Sequence, residues 1–448
     1  MLNIHTIGGY NEVGKNLTAI DTGDDVILFD LGLYLPAIVG VEEREKIPTE
    51  KGMRALGALP DDIYLDKKGL RKKVRAIAIS HAHLDHVGAV QYLAPRYPKA
   101  PVLGTPFTTE VLKKLMEDNQ AGISNKIVPV QPNNSFTVKG KNQNYKVELI
   151  NVTHSTIQSA MIAVHTKDGI ILYANDYKFD NTPIMGDKPN YKRLKQLSKI
   201  GIKALVADCL YAPDDRKTPS EKIARGLLED VLFTTENYKS GMIITTFSSH
   251  IARLKSIVEF GTRLRRKTIF LGRSLNKYTT AAINVGKCPF RKQIQIATYR
   301  RQLEKVLRKA NKNKREYLIV CTGHQGEPHS VLDRFSRNQL PYKISKDDHI
   351  IFSSKTIPAP ANIKSRAELE TRLRKFHPRI FDNVHVSGHG GREDLRDLIK
   401  LTQPQHFIPS HGDKVKTEAG LKLALEMGYK KNYNAHLLSN GKKLVLKK

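Results

Sequence analysis

Short apolar runs separated by turns make up most of the first two hundred residues. Runs of this length that are rich in β-branched residues predict strands, and longer periodic patterns between them predict helices. We predict strands over Val26 to Asp30, Val74 to Ser80, Val147 to Thr153, Met161 to His165 and Gly169 to Ala174, with helices over Val87 to Ala94 and Pro106 to Met116. Strands with intervening helices predict a layered α/β domain.

From about residue 208 the pattern changes to a regular alternation of strands and helices. Such alternation is typical of a largely parallel sheet and predicts a second α/β domain. The predicted strands are Ala204 to Ala207, Met242 to Thr245, Thr268 to Leu271, Tyr317 to Cys321 and His349 to Ser353, and the predicted helices are Pro219 to Leu232, Ser249 to Phe260, Leu275 to Val285 and Asn362 to Phe376.

After Pro378 the chain returns to short strands, predicted over Val384 to Ser387 and His406 to Pro409, and histidines lie at or near their ends. One domain interrupted by another accounts for this return, because the histidine-rich tail then completes the first domain. We therefore predict a first part over residues 1–207, an inserted domain over 208–380 and a completing segment over 381–448.

The composition is that of a globular protein. The chain of 448 residues is 40% hydrophobic and 26% charged, which argues against a disordered or fibrous class. No apolar stretch approaches the ~18 residues of a membrane-spanning helix, and the first residues lack the features of a signal peptide. Cys209, Cys288 and Cys321 are too scattered for a disulfide framework. We expect a cytoplasmic protein with reduced thiols and no membrane partner.

A large excess of positive charge suggests a polyanionic partner. Lys and Arg number 74 against 44 Asp and Glu, so the formal net charge is +30, and charge of this size attracts polyanions. Much of it falls in blocks over residues 67–75, 263–267 and 291–315. These blocks favour nucleic acid as the partner, although a basic proteome or selection for solubility would produce the same net charge.

The run His81-Ala82-His83-Leu84-Asp85-His86 follows a predicted strand and places three imidazoles and a carboxylate within six residues. These groups are ligands that Zn²⁺ prefers. On a turn at the end of a strand they can enter one pocket and serve two ions about 3.5–4 Å apart, as in two-metal hydrolases. A surface histidine cluster is the alternative, but this spacing after a buried strand favours a metal-dependent hydrolase.

Further ligands are expected at other strand ends, because two ions need about six protein ligands. His154 follows the strand predicted over Val147 to Thr153, Asp176 follows the strand that ends at Ala174, and His411 follows Phe407-Ile408-Pro409-Ser410. Each of the three taken alone is more typical of a structural residue. Together with the first run they predict that one edge of the sheet carries the whole site.

The complete set resembles the metal ligands of the metallo-β-lactamase superfamily. Asp30, in Phe29-Asp30-Leu31-Gly32, resembles that superfamily's first motif, whose carboxylate supports the metal-binding loop by hydrogen bonds. The resemblance implies an αββα sandwich and two zinc ions, although Mn²⁺ can occupy similar sites. It also implies that one ion is bound by His81, His83 and His154, the other by Asp85, His86 and His411, and that Asp176 bridges the two.

Three further motifs resemble those of the β-CASP nucleases, whose additional α/β domain is inserted where the pattern changes. They are Asp208 in Ala207-Asp208-Cys209, His389 in Ser387-Gly388-His389-Gly390, and His411 in Ser410-His411-Gly412. Within that group the chain is most similar to ribonuclease J, through Gly8-Gly9-Tyr10-Asn11-Glu12-Val13-Gly14-Lys15-Asn16 and Thr322-Gly323-His324-Gln325-Gly326-Glu327-Pro328.

Two features depart from bacterial ribonuclease J. The chain ends at Lys448, where bacterial members carry an additional C-terminal domain, so it resembles the shorter archaeal form. Bacterial-style oligomerisation is therefore not implied, and a homodimer is left open. His324 also stands where bacterial members usually have Ser, and the sequence assigns no role to that change.

The resemblance implies a zinc-dependent ribonuclease, namely a 5′→3′ exoribonuclease that prefers 5′-monophosphorylated single-stranded RNA and acts in RNA decay or maturation. Asp85 and Asp176 would orient the attacking hydroxide while they bind metal. His389 would protonate the leaving group, and Asp208 would keep its ring cationic. A purely structural hydrogen bond between Asp208 and His389 is the alternative.

Two segments are candidates for holding substrate phosphates. His385, Val386, Ser387, Gly388 and His389 resemble the stretch that holds phosphate in ribonuclease J. Ser248, Ser249 and His250 precede a predicted helix, whose N-terminus could hold a second phosphate. An ordinary N-cap at Ser249 is the alternative to the second assignment.

Three other functions agree with parts of the sequence. One is an endoribonuclease that resembles the β-CASP cleavage and polyadenylation factors, whose archaeal versions usually carry RNA-binding domains ahead of the catalytic core. A small-molecule hydrolase such as a glyoxalase or lactamase fits poorly with a net charge of +30 and an inserted domain. An inactive RNA-binding subunit fits poorly with a complete set of metal ligands.

Overall fold

The computed structural model describes residues 2–38, 49–237, 239–357 and 360–446. The strands in these ranges are β1 Leu2–Gly8, β2 Leu17–Asp21, β3 Val26–Phe29, β4 Val74–Ala78, β5 Val102–Gly104, β6 Ile127–Pro129, β7 Ser135–Lys139, β8 Asn144–Asn151, β9 Ala160–Thr166, β10 Gly169–Ala174, β11 Ile202–Asp208, β12 Met242–Thr245, β13 Lys267–Leu271, β14 Ile294–Ala297, β15 Tyr317–Cys321, β16 His349–Phe352, β17 Arg379–Phe381, β18 His406–Ser410 and β19 Lys442–Leu446.

The α-helices in the same ranges are α1 Glu50–Ala55, α2 Ile63–Lys67, α3 Leu84–Val87, α4 Val90–Leu93, α5 Pro106–Asp118, α6 Tyr191–Ile200, α7 Glu221–Phe233, α8 Ile251–Arg263, α9 Arg273–Asn284, α10 Arg300–Lys312, α11 Val331–Ser336, α12 Pro360–Arg374, α13 Arg392–Thr402 and α14 Lys414–Glu426. Short 3-10 helices cover Leu35–Ala37, Arg71–Lys73, Ala94–Arg96 and Lys314–Glu316. None of the helices described here has the length and apolar character that a membrane crossing requires.

Two sheets pack face to face and form the predicted αββα sandwich. Their strand orders are β19-β1-β2-β3-β4-β5-β6 and β18-β11-β10-β9-β8-β7. Alternate side chains of both sheets, such as Phe29 from one and Leu149 and Ile171 from the other, meet in one buried core. Helices cover the outer faces, with α4 and α5 on the first sheet and α6, α13 and α14 on the second.

The third sheet is the inserted α/β domain. All its strands are parallel, in the order β14-β13-β15-β12-β16-β17. Alternate residues of β12 serve different faces: Ile243 packs with α10, α11 and α12, whereas Ile244 packs towards α8 and α9. The second face shares one continuous core with Phe107 of α5 in the sandwich. The inserted domain is therefore seated on the sandwich by an apolar contact.

The segment after the inserted domain returns to the sandwich and completes both of its sheets. β18 pairs in parallel with β11, and β19 pairs antiparallel with β1. The predicted domain limits at 207/208 and 380/381 lie near the ends of β11 and β17, and they stay a prediction. Cys209, Cys288 and Cys321 are buried free thiols.

Two predicted elements are wrong in detail. Val384 to Ser387 is not a strand, because the Val384 carbonyl accepts hydrogen bonds from the side chains of Arg253 and Ser353 rather than from a neighbouring strand. The helix predicted over Val87 to Ala94 is instead two short α-helices and a 3-10 turn, and α3 ends where Gly88 packs closely against Leu33.

A buried ion pair holds the returning segment against the inserted domain. Arg253 is fully buried, and its guanidinium donates to both carboxylate oxygens of Glu221, with Nη2 at 2.8 Å from Oε2. Its Nη1 donates to the carbonyls of Ser353 and Val384. Although burial alone would raise the pKa of Glu221, Arg253 and His250 hold that pKa well below its usual range.

We expect Glu221→Ala to lower the free energy of unfolding by about 3–5 kcal/mol, because it leaves the Arg253 charge buried and unpaired. Urea unfolding followed by circular dichroism measures the change. Asp397→Ala is the matched control, since it breaks a half-exposed pair with Lys217 and should cost below about 1 kcal/mol. An equal cost for the two variants would contradict the assignment.

Candidate metal centre

The site lies at the edge of the sandwich where parallel strands end. β10, β11 and β18 are parallel neighbours, and Asp176, Asp208 and His411 lie at or just beyond their carboxyl ends. In the facing sheet the parallel strands β3 and β4 lead to Asp30 and to the run at 81–86. Parallel strands bring their carboxyl ends to one edge of a sheet, where ligands bind. Residues distant in sequence meet there for this reason.

One group of donor atoms converges on His83. Its Nδ1 lies 3.0 Å from His81 Nε2 and 3.0 Å from His154 Nε2. Asp176 Oδ2 lies 3.4 Å from His81 Nε2 and 3.6 Å from His154 Nε2. These four residues can each offer one ligand atom to a single ion.

A second group shares the Asp176 carboxylate with the first. His86 Nε2 lies 3.3 Å from Asp176 Oδ2 and 3.5 Å from Asp85 Oδ2. His411 Nε2 lies 3.6 Å from Asp176 Oδ1 and 3.9 Å from Asp85 Oδ2. The structure thus brings together all seven residues predicted as ligands, in two groups with one carboxylate in common.

The donor set fits divalent metal ions. Ligand atoms about 2.0–2.1 Å from a tetrahedral ion lie roughly 3.3 Å apart, which is close to the separations in the first group. Asp176 Oδ1 is buried and has no hydrogen-bond partner in the described part of the chain. Such an orphaned carboxylate oxygen is costly unless an ion satisfies it.

The protonation of the site also suits metal binding. Burial and then the neighbouring imidazoles hold the pKa of His83 and of His154 well below the usual value, so both rings are neutral and keep a lone pair for an ion. Burial alone would raise the pKa of Asp176, but the facing rings of His411 and His86 hold it well below the usual value. The carboxylate is therefore ionised.

In each ligand ring, the nitrogen that faces away from the other ligands has a hydrogen-bond partner. Such partners set the tautomer and the orientation of metal-binding histidines. The pairs are His81 Nδ1 with Ser80 Oγ at 3.0 Å, His83 Nε2 with Ser249 Oγ at 3.0 Å, His86 Nδ1 with Asp30 Oδ2 at 2.7 Å, His154 Nδ1 with the Gly388 carbonyl at 2.7 Å, and His411 Nδ1 with Asn16 Oδ1 at 3.1 Å. Asp30 also accepts from the Ser80 amide at 2.8 Å.

Three residues of the site adopt left-handed backbone conformations. The φ angles are 58° at Asp30, 59° at Asp176 and 55° at His411. A non-glycine residue in this region costs of order 1–3 kcal/mol and persists only where the surroundings enforce it. Each of these residues follows a strand end, and the turn directs its side chain into the site.

A histidine and a carboxylate form a dyad beside the two groups. His389 Nδ1 lies 2.7 Å from Asp208 Oδ2, and its Nε2 lies 3.8 Å from Asp176 Oδ2. Burial alone would lower the pKa of His389, but the carboxylates of Asp176 and Asp208 outweigh it and raise the pKa to about 9. The ring is therefore protonated at neutral pH.

The segment at 385–389 runs directly over the metal groups. Ser387 Oγ accepts from the His389 amide at 3.0 Å, and the Gly388 carbonyl accepts from His154. A Cβ at position 388 would lie 2.7 Å from Ser155 Oγ, so only glycine fits this close approach. Val386 is buried, and burial lowers the pKa of His385 to about 2. The His385 ring is neutral.

The loop at 248–250 reaches the site from the inserted domain. The N-cap of α8 is His250, whose ring accepts from the Arg253 amide and contacts Glu221 Oε2 at 3.3 Å. Ser249 is therefore not the N-cap, and its hydroxyl contacts His83. Ser248 is half-buried. A phosphate-binding role for the three residues stays a prediction, since two of the side chains already have protein partners.

Comparison with known proteins identifies the family. Residues 10–231 match the metallo-beta-lactamase superfamily, residues 239–367 match the beta-CASP domain of ribonuclease J, and residues 375–435 match the Zn-dependent metallo-hydrolase RNA specificity domain. Ribonuclease J of Pyrococcus abyssi is 40% identical over 443 residues, which cover 98% of this chain and 96% of the relative. The chain belongs to the ribonuclease J family.

Two further comparisons cover nearly the whole chain. Ribonuclease J of Methanocaldococcus jannaschii is 39% identical, and the match covers 98% of each chain. A crystal structure of a protein of unknown function from Enterococcus faecalis V583 superposes with a TM-score of 0.65, covering 99% of this chain and 100% of that one. Its sequence identity of 16% supports the shared fold alone. Membership of the metallo-β-lactamase superfamily implies divalent metal binding, and the two groups described above are the candidate ligands.

The sequence did not single out several residues that shape this ribonuclease J site. Asn16 donates to the Asp85 carbonyl at 2.9 Å and contacts His411, and Tyr211 places its ring 6.1 Å from that of His389. A Cβ at Gly32 would meet the Asp85 carbonyl. Asn16 lies in the N-terminal motif that resembles the family, but a lone amide carries no chemical signature of its role.

His324 lies behind the loop at 248–250. It is buried, its ring packs edge-on against Phe247 at 4.2 Å, and neither ring nitrogen has a hydrogen-bond partner in the described part of the chain. Burial and the nearby Arg366 charge lower the pKa of His324 to about 3. The ring is therefore a neutral packing element in this structure.

The first basic block is not part of the site. Residues 67–75 precede β4, whereas the metal ligands follow it, so the block lies at the opposite end of a strand about 17 Å long. Arg75 pairs there with Asp25. Arg266 of the second block is buried and donates to the carbonyls of Asn237 and Ser240. Proximity in sequence was therefore misleading for these cations.

We expect Asp176→Asn to weaken metal binding in both groups, because the shared carboxylate loses its charge. The affinity for Zn²⁺ should fall at least about 10–100-fold. The metal content that remains after dialysis should fall as a result. Asp208→Asn is the matched control, because its carboxylate contacts His389 rather than a ligand ring, and it should retain metal. Full metal content in Asp176→Asn would contradict the assignment.

Proposed function

We propose that this chain is a two-zinc 5′→3′ exoribonuclease that prefers 5′-monophosphorylated single-stranded RNA and acts in RNA decay or maturation. It is a metal-dependent enzyme that hydrolyses RNA. The observation that carries the proposal is the position of a protonated His389 beside two ligand groups that share Asp176. A cytoplasmic location and a homodimer stay predictions.

The ligand chemistry favours zinc. The two groups contain five imidazoles, which are borderline-soft donors, and two carboxylates, which are hard donors. Zn²⁺ accepts both kinds of donor and prefers four ligands in a tetrahedron. Mn²⁺ binds similar sites and is the second candidate. Bound divalent cations supply Lewis acidity, which acidifies water and neutralises charge on a phosphodiester.

The carboxylates serve the attacking water. Asp85 and Asp176 face each other across the second group, and both are ionised because the histidine rings around them hold their pKa values below the usual range despite burial. An oxygen of either carboxylate can accept a hydrogen bond from a water molecule and orient its lone pair towards phosphorus. Water attacks phosphorus, and its proton passes to solvent through these acceptors.

His389 serves the leaving group. Its Nδ1 is held by Asp208, so the proton available for transfer lies on Nε2, which faces Asp176 and the site. As the phosphorus–oxygen bond breaks, Nε2 donates this proton to the leaving oxygen, and Asp208 stabilises the cationic ring before transfer. The ring stacks on His411 at 5.5 Å, which limits its rotation.

A neighbouring cavity supports removal of single nucleotides. It has a volume of about 280 Å³, adjoins His154, and is lined by Lys178 and by Glu221 and His250 at the start of the inserted domain. This is close to the ~300 Å³ of the smallest ligand pockets. A pocket of this size beside the site can hold one nucleotide and so set the distance from the 5′ end to the cut. The segment at 385–389 is proposed to hold the phosphate.

Exposed cations of α10 extend the surface towards RNA. Arg301 and Lys305 are exposed in the first two turns of this helix, whereas the exposed Lys309 and Lys312 lie near its other end, which leads into the amino end of β15. All strands of the third sheet are parallel. α10, which follows β14, therefore begins at the same edge of the sheet as the loop at 248–250, which follows β12. We propose that single-stranded RNA crosses this edge on its way to the site.

We expect release of labelled mononucleotide from an RNA that carries a 5′-monophosphate and a 5′-end label. A 5′-triphosphate should slow the reaction because it does not fit the pocket, and a circular RNA should remain intact. Thin-layer chromatography of the products measures all three. Cutting of the circle would instead support the endoribonuclease, and no turnover of any RNA by zinc-loaded protein would reject both activities.

We expect His389→Ala to lower the hydrolysis rate by about 10²–10⁴-fold, because it removes the general acid. Metal content should stay at the wild-type level, since the ring binds Asp208 rather than completing either ligand group. Single-turnover kinetics and elemental analysis measure the two quantities. Asp208→Asn should lower the rate in the same direction. Loss of metal in His389→Ala would reject the acid role.

A further inference from the structure

We propose that the inserted domain completes the metal centre, with Ser249 as a positioning residue for the metal ligand His83. The inference rests on the proposed metal-binding role of the first group of ligands. The sandwich alone then does not hold this group of ligands in its binding geometry. Ser249 acts through His83 and need not touch the ion or the RNA.

The two nitrogens of the His83 ring have different roles, one towards the metal site and one towards Ser249. Its Nδ1 faces the nitrogens of His81 and His154 at 3.0 Å, so Nδ1 is the atom that would face an ion. The hydrogen of the neutral ring then lies on Nε2, which points to Ser249 Oγ at 3.0 Å. Ser249 is therefore the acceptor that fixes both the tautomer and the rotation of this ring.

Ser249 differs from the partners of the other ligand rings in its origin. Ser80, Asp30 and Asn16 belong to the sandwich, and the Gly388 carbonyl belongs to the segment that returns to it. Among the partners in the described residues, Ser249 is the one that the inserted domain supplies. Through these ring partners the inserted domain reaches the first group and not the second.

The Ser249 hydroxyl is held in place by the core of the inserted domain. The next residue, His250, caps α8 and contacts the buried Glu221 carboxylate. One turn later Arg253 ties the same helix to Ser353 beyond β16. Ser249 is only 5% exposed, so water has little access to replace its hydroxyl. This arrangement favours a fixed acceptor over a mobile surface serine.

A second contact from the inserted domain reaches the same loop. Tyr278, on α9, is buried, and its hydroxyl donates to the Ala82 carbonyl at 3.3 Å. Ala82 lies between the ligands His81 and His83. Nearby, Lys277 of α9 pairs with Asp118 of α5 at 2.8 Å. The inserted domain thus holds the metal loop by one side-chain contact and one backbone contact.

The test is a Zn²⁺ titration of the full-length apoprotein in competition with a chromophoric chelator. We expect Ser249→Ala to raise the dissociation constant of one zinc by about 10–100-fold, the usual effect of losing such a partner. The other zinc should be held as in the wild type. Ser249→Thr keeps the hydroxyl and should restore wild-type affinity. Ser248→Ala, one residue away in the same loop, should leave both zinc affinities unchanged.

Wild-type affinity for both ions in Ser249→Ala would overturn the proposal, and so would an equal loss of both. Thermal unfolding of the apoproteins checks that the variants fold. If Ser249→Ala does not fold, Tyr278→Phe decides: weaker binding of one zinc supports the proposal, and unchanged binding overturns it. Failure of wild-type protein to hydrolyse RNA would reject the proposed function without changing these affinities, so the two conclusions fail separately.

Discussion

The burial of one carboxylate, Asp176, constrains the rest of this structure. An ionised group out of contact with water is tolerated only when opposite charges and hydrogen-bond donors surround it. His86, His411 and His389 converge on Asp176 from three separate segments, and Oδ1 of Asp176 still has no hydrogen-bond partner in the described residues. Bound cations would neutralise this carboxylate, so metal binding would stabilise the folded site.

The insertion of one domain into another brings two further residues to Asp176. The chain leaves the sandwich after β11 and returns to it before β18, and these strands are neighbours in the second sheet. Asp208 at the end of β11 and His389 on the returning segment therefore meet beside Asp176. The inserted domain also covers the metal loop through Ser249 and Tyr278. Its position makes a cleft out of what would be an open sheet edge.

The seven candidate ligands that the structure brings together could be selected from sequence because their chemistry is unusual. The spacing of His81, His83, Asp85 and His86 after a buried strand is rare outside metal sites, and the later ligands all follow strand ends. The partners that orient these ligands were not predictable. Asn16, Ser80 and Tyr278 are common residue types with no distinctive spacing, and their roles depend on which elements the fold places beside them.

The position of the basic residues relative to the site could not be predicted from sequence either. Residues 67–75 lie close to the ligands in sequence, but β4 separates the two and carries the block to the far end of the sheet. The segment at 384–387 has the composition of a strand, yet it crosses between domains, where side chains of Arg253 and Ser353 donate to the Val384 carbonyl. Local composition does not report which partners a segment will meet.

The amino-acid sequence by itself determined the alternation of strands and helices, because hydrophobic periodicity is a local property of the chain. Its motifs, by their resemblance to known families, indicated the sandwich with its insertion and the seven candidate metal ligands. The tertiary structure alone decided that Ser249 of the inserted domain is the partner of His83, that Asn16 is the partner of His411, and that the basic block at 67–75 lies at the far end of β4 from the site. Only packing joins residues so far apart in the chain: the contact of His83 with Ser249 spans 166 positions, and that of His411 with Asn16 spans 395.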